Sequence, residues 1–388
     1  MAQRQTGDRV TNVLLPTTMV GSYPRPRWYT RRAWGADLRV ALMDQNWREE
    51  YEDAVKAMVN DQEVAGLDIV SDGEVYEDDL VGGAGWPEYV LSRIGGIENR
   101  AESTIGGVLD QTDILSRLSA TWPAPVVTKP LQPGPLQFAF LYDVARGLAS
   151  RPVKMSFVDP LLAALFLRDE HYGSEPGQPS PQLVMDLAHI YNQELRELAA
   201  AGCPIYQSDL PTFAQLGMMG APDAAWNASI RAFNTTVAGT DGMQIWMHYC
   251  WGRPYGQFAY GHAGDFRPMF PRVFDADFHV LNIECGECLG PEMALLEQVP
   301  PDRAVAIGIL DHRVLQVERP QDIADKIRRA LRHISPERLY LTSFCGLGTT
   351  LPRTVAFYKL KALVDGAKLV RAELEGRPVP ESVGGPAG

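Results

Sequence analysis

The chain has 388 residues, 45% of them hydrophobic and 22% charged, and a formal charge of −12. These are globular proportions, and the length is enough to bury a sizeable core. The acidic balance excludes a general nucleic-acid binder, which needs a basic face to release counterions, and it disfavours docking on anionic membranes. No apolar run reaches the ~20 residues that span a bilayer. Residues 1–13 lack the continuous apolar stretch of a signal peptide, so the expected location is the cytoplasm. Five cysteines in a reducing compartment read as free thiols or metal ligands, not as a disulfide framework. A homo-oligomer is compatible with this composition.

In chain order, short β-rich runs alternate with longer helical stretches. The first run, 13–20, leads into Gly21-Ser22. A helix over 47–65 stops at Gly66, where a C-cap glycine belongs, and the run 66–70 ends in Ser71-Asp72-Gly73-Glu74. Residues 81–150 are rich in Gly and Pro and contain a further β-like run at 124–129. The run 152–158 ends at Asp159-Pro160, a helix occupies 182–201, and the run 204–207 leads into Ser208-Asp209. The run 243–247 precedes His248-Tyr249-Cys250, 278–283 ends at Glu284, and 304–310 ends at Asp311. A helix at 320–333 is followed by the run 338–343, which opens into Phe344-Cys345-Gly346, and by a helix at 353–375. The tail 376–388 reads as flexible.

Eight such alternations predict an α/β fold, a single (β/α)8 TIM barrel over 1–388, with 81–150 as a hairpin-like insertion near the barrel mouth. No glycine-rich turn follows a first strand to support an open doubly wound sheet. In a barrel, groups at the carboxyl ends of strands converge on one mouth. His248, Cys250, Glu284 and Cys345 all occupy such ends. His248 and Cys250 share one side of an extended segment, because side chains alternate with period two. One imidazole, two thiolates and a carboxylate suit tetrahedral Zn2+. Such a metal deprotonates an arriving thiol while its sulfur keeps much of its nucleophilicity. Cys285-Gly286-Glu287-Cys288 offers another donor choice, in which Cys285 or Cys288 replaces Glu284.

Glu74 and Asp209 end other strands and are suited to holding a substrate ammonium by charge-assisted hydrogen bonds; as capping or turn residues they would be unremarked. Ser22 beside Gly21 offers a hydroxyl to a substrate carboxylate. His312 is a candidate general acid with Asp311 as its orienting partner, and Arg313 is a candidate contact for an anionic substrate group.

The same residues resemble the C-terminal catalytic barrel of cobalamin-independent methionine synthase, from Thr17-Thr18-Met19-Val20-Gly21-Ser22 to Arg371. The landmarks are 66–74, Gln207-Ser208-Asp209, His248-Tyr249-Cys250 and the stretch through Cys345-Gly346-Leu347. The resemblance implies zinc on His248, Cys250, Glu284 and Cys345, and homocysteine held by Ser22, Glu74 and Asp209. The chain departs from the family pattern at Asp159, Phe166, Leu210, Phe344 and the Asp311-His312-Arg313 segment, which leaves folate, a corrinoid or an epoxide open as the alkyl source. The expected partners are thus a small-molecule thiol and an alkyl donor. The alternatives are epoxyalkane:coenzyme M transfer, in which the thiol opens an epoxide, and a non-catalytic binding barrel with a closed zinc site.

Overall fold

The computed structural model describes residues 10–29, 37–76, 85–104, 123–175, 178–209, 212–250, 266–285, 293–348 and 351–378. Strands follow in chain order: β1 (Val70–Ser71), β2 (Gly95–Thr104), β3 (Pro123–Gln132), β4 (Val153–Val158), β5 (Arg168–Asp169) and β6 (Ile205–Asp209). They continue as β7 (Gln244–Tyr249), β8 (Val280–Glu284), β9 (Ala304–Leu310) and β10 (Leu339–Ser343). β1, β4, β6, β7, β8, β9 and β10 form one sheet in that order, every neighbouring pair parallel.

The N-terminal segment closes this sheet into a barrel. Leu341 N donates to Pro16 O at 2.9 Å, and Thr18 N donates to Leu341 O at 2.9 Å. On its other edge, Thr17 O accepts from the backbone N–H groups of Asp68 and Ile69, each at 3.1 Å. Residues 16–18 thus lie between β10 and the entry to β1, as the expected first strand should. The closure is locked from outside by Arg371, which donates to Leu14 O and Leu15 O and pairs with Asp68.

Helices cover the outside. Gln45–Ala65 is N-capped by the Asp44 side chain, which accepts from Trp47 N at 2.9 Å. It ends at Gly66, whose φ of 96° is open chiefly to glycine. Pro181–Ala200, Pro320–Ala330 and Arg353–Leu374 match the helices expected from periodicity within a few residues. β2 and β3 pair antiparallel, and β3 pairs parallel with β5. β2 and β3 thus form a hairpin inside the stretch expected as the insertion. Phe138–Leu148, which falls inside the stretch expected as the insertion, packs between Gln45–Ala65 and Pro181–Ala200 in the outer ring. Of the expected flexible tail, 379–388 lie outside the described residues. Among the described residues, no helix is long and apolar enough to cross a membrane.

Inside the barrel, period-two alternation builds layers. Ile69, Ile205, Trp246, Val280, Ala306 and Tyr340 form a dry floor, with the rings of Trp246 and Tyr340 edge to face at 4.9 Å. Two residues further along β6 and β8 come Gln207 and Asn282, and two further still Asp209 and Glu284. The interior therefore turns from apolar to polar to ionisable toward the strands' carboxyl ends.

Candidate active site

β7 runs on through His248 to Tyr249, two residues beyond the expected run, and pairs His248 in register with Asp209 of β6 and Asn282 of β8. Cys250 follows on the same side. Cys345 arrives from β10, where the pairing with β9 shifts between Thr342 and Ser343. The extra residue is Ile309 on β9, which alters the pairing beside Ser343. Ser343 Oγ then donates to Cys345 O at 2.8 Å and accepts from Val20 N at 3.1 Å, fixing the turn.

The outcome is a buried cluster. The donor atoms of His248, Cys250 and Cys345 all lie within 4.8 Å of one another. The Cys250 and Cys345 sulfurs are 3.4 Å apart and are not joined in a disulfide. His248 is buried, and neither ring nitrogen has an oxygen or nitrogen partner; its neighbour is the Cys345 sulfur. A buried imidazole left this way is costly unless something else satisfies it. Burial opposes a charge on His248, yet the Cys345 sulfur and Asp209 outweigh it and shift its pKa upward. Two thiols and an imidazole are a donor set that fits a borderline-soft divalent cation.

Glu284 ends β8, 2% exposed, with Oε1 3.0 Å from Arg313 Nη1. It does not join the three-donor group. Cys285 is buried but likewise outside it, and Cys288 lies outside the described residues.

Glu74 is buried in a left-handed backbone conformation, φ 55°, its N–H held by Asp72 Oδ1 at 3.0 Å. Its Oε1 accepts from Ser156 Oγ at 2.6 Å and lies against the bare Cα of Gly21. Burial pushes the Asp72 carboxyl up to about 7, against the Glu74 N–H bond that favours its charged form. Asp209 Oδ1 accepts from Gln207 Nε2 at 2.9 Å. Ser22 packs under the Cys345 loop, Leu347 N donating to Ser22 O at 2.8 Å, and its buried Oγ makes no hydrogen bond. Asp311 Oδ1 accepts from Arg313 N at 2.8 Å and Nε at 3.0 Å, so this carboxylate orients the arginine. His312 is fully buried, edge-on to Phe344 with centroids 6.4 Å apart.

A sequence profile described as "Cobalamin-independent synthase, Catalytic domain" matches residues 15–369. The chain belongs to that family. A methionine synthase of Sulfurisphaera tokodaii is 27% identical over 94% of this chain and 95% of its own. A 2-hydroxypropyl-CoM lyase of Xanthobacter autotrophicus is 31% identical over 94% of this chain and 97% of its own. In three dimensions the chain is similar to a B12-independent methionine synthase of a Shewanella species in complex with selenomethionine, with a TM-score of 0.75 and 25% identity over 94% of this chain and 100% of that one.

Within this family barrel, sequence reading passed over the layer beneath the site. Lys154 is wholly buried, its Nζ donating to Met19 O at 2.6 Å and Gln207 Oε1 at 2.8 Å. Asn282 Nδ2 donates to the same oxygen at 3.0 Å. With Oε1 claimed twice, the Gln207 amide must turn its NH2 to Asp209. Burial pulls the Lys154 ammonium down to about 7, while Asp209 and Glu74 resist that shift. The signal lay in the alternation: residue 156 is two beyond Lys154 on β4, and Gln207 and Asn282 stand two before Asp209 and Glu284.

Proposed function

We propose that the protein moves a methyl or other alkyl group onto the sulfur of an amino-acid thiol, homocysteine or a close analogue, with Zn2+ held by His248, Cys250 and Cys345. The observation that carries this reading is the buried convergence of those three donors within 4.8 Å, supplied by two separate strands. Zinc among thiolate ligands would keep an acceptor thiol deprotonated yet nucleophilic at neutral pH.

The chain's own residues supply the rest. Glu74 and Asp209, both within electrostatic reach of Lys154, present carboxylates to the acceptor ammonium. Ser22 Oγ is available to its carboxylate. The apolar floor excludes water from below, which strengthens each of these contacts. In the transfer the acceptor loses its S–H proton, a sulfur–carbon bond forms, and the bond from that carbon to the donor breaks. His312 is the candidate acid for the departing group.

A second reading follows from the 31% identity to a 2-hydroxypropyl-CoM lyase: a sulfonated thiol opening an epoxide. A sulfonate needs cations. Arg313 is engaged by Glu284 and Asp311, and Arg25 Nη1 donates to Val75 O at 3.2 Å. The two pocket carboxylates favour the ammonium-bearing acceptor.

The test is a thiol-consumption screen on zinc-loaded protein. Homocysteine and coenzyme M are each paired with methylfolate, methylcobalamin and epoxypropane. Methylation of homocysteine supports the first reading, and consumption of coenzyme M with the epoxide replaces it with the second. Purified protein that takes up no zinc removes both. X-ray absorption adds the remaining contrast, because sulfur replaces an O/N scatterer on adding homocysteine only if the site is not a closed structural one.

A further inference from the structure

Each of the two carboxylates assigned to the acceptor pocket rests on a neutral donor. Ser156 of β4 and Gln207 of β6 are partners in register and so face the same way. Ser156 Oγ donates to Glu74 Oε1 at 2.6 Å, and Gln207 Nε2 donates to Asp209 Oδ1 at 2.9 Å. Gln207 and Asp209 alternate with Ser208 along β6, which puts amide and carboxylate on one face.

The other end of the Gln207 amide is held by a cation. As an ammonium, Lys154 has only donors to offer. Its Nζ gives one hydrogen bond to Met19 O and one to Gln207 Oε1, and it faces the Trp246 ring 5.0 Å from the centroid. Asn282 Nδ2 brings a second donor to the same amide oxygen. The amide therefore stands between a buried ammonium and a buried carboxylate, with the matching end turned to each. Asp209 and Glu74 act on Lys154 electrostatically, yet among the described residues its Nζ bonds to neither. A direct ion pair would neutralise Asp209. The interposed amide anchors that carboxylate without the lysine cancelling its charge.

We infer that Gln207 is a specificity-determining positioning residue: spaced between Lys154 and Asp209, it orients Asp209 toward the acceptor ammonium and so sets the preference for an amino-acid thiol over the same thiol without its amino group. The inference rests on the proposed function, in which Asp209 meets that ammonium. A merely structural network predicts something else, because its loss would loosen the barrel and weaken both thiols alike.

The experiment is calorimetric titration of zinc-loaded wild type, Gln207→Met and Gln207→Asn with homocysteine and with 4-mercaptobutanoate, the analogue that lacks the amino group. The two ligands share thiol and carboxylate, so the contribution of the metal cancels in the ratio of their dissociation constants. Wild type is expected to prefer homocysteine. Gln207→Met should lower that preference about tenfold, the low end for a hydrogen bond to a charged group, through homocysteine alone. A preference equal to that of wild type overturns the inference. So does a folded variant that no longer takes up zinc, since the amide would then be serving the metal site. Should Gln207→Met fail to fold, Gln207→Asn decides by the same ratio, because its amide is one methylene too short to span from Lys154 to Asp209. Wild type that takes up no zinc, or that binds the two thiols equally, ends the proposed acceptor and this inference together. A wild-type preference that survives intact in the variants ends this inference alone.

Discussion

Gly21 leaves no room for a side chain beside Glu74, the residue proposed to meet the acceptor ammonium. A Cβ placed there would lie 1.6 Å from Glu74 Oε1 and 2.4 Å from Ser156 Oγ, whereas ordinary contacts begin at 3.4 Å. Neither neighbour is a loose end. Ser156 Oγ holds Glu74 Oε1 at 2.6 Å, and the Glu74 backbone is pinned by Asp72. Ser71 Oγ fixes Gly21 itself, donating to its carbonyl at 2.6 Å. Gly21→Ala therefore has to displace the carboxylate by more than an ångström and break its bond to Ser156.

Overpacking of this kind costs about 1–3 kcal/mol of stability. A lost hydrogen bond to a charged group is worth ~1.5–3 kcal/mol, which predicts acceptor binding weaker by roughly 10- to 100-fold. Metal content has to be followed alongside, because Val20 and Ser22, the neighbours of Gly21, both bond to the turn that carries Cys345. The assay is calorimetric titration of homocysteine into zinc-loaded protein, with metal content and thermal unfolding measured on the same sample. A folded, zinc-replete Gly21→Ala variant that binds homocysteine like wild type would refute the role of Glu74.

Two further predictions concern the scaffold. Lys154 has a folded pKa of about 7 against an ordinary 10.5, so between those values the unfolded chain holds a proton that the folded chain has shed. Stability must therefore rise with pH through that window, by at most ~1.4 kcal/mol per pH unit. Urea unfolding of wild type and Lys154→Met at pH 7 and pH 9 measures it, and a stability difference that does not change with pH contradicts the burial argument. Arg371 closes the barrel by pairing with Asp68, which also accepts from Thr17 N at 2.9 Å and Thr17 Oγ1 at 2.8 Å. Arg371→Ala leaves that carboxylate uncompensated and is expected to cost about 3 kcal/mol, partly recovered by adding Asp68→Asn. A denaturation midpoint equal to wild type would show that backbone pairing alone holds the seam.

Much of the fold was legible because its signals are local. Gly66 marks a helix end, apolar residues at helical spacing mark the three other long helices, and β-rich runs ending in polar residues mark the strands. Phe138–Leu148 was passed over as an outer helix because it follows a Pro/Gly-rich stretch and starts at Gln137, with φ 61° and no side-chain cap bond. β1 shrank to two residues because Asp68 and Ile69 give their N–H groups to Thr17 O. No propensity specifies that exchange.

The site divides along the same line. Residue types and period-two spacing, read from the chain alone, put an imidazole, thiols and carboxylates at strand ends. That placement depends only on near neighbours. Which of them meet depends on register between strands far apart in sequence, on the turn after β10 that carries Cys345 to His248, and on the ion pair between Glu284 and Arg313. These are long-range choices among competing partners, and only packing the whole barrel decides them.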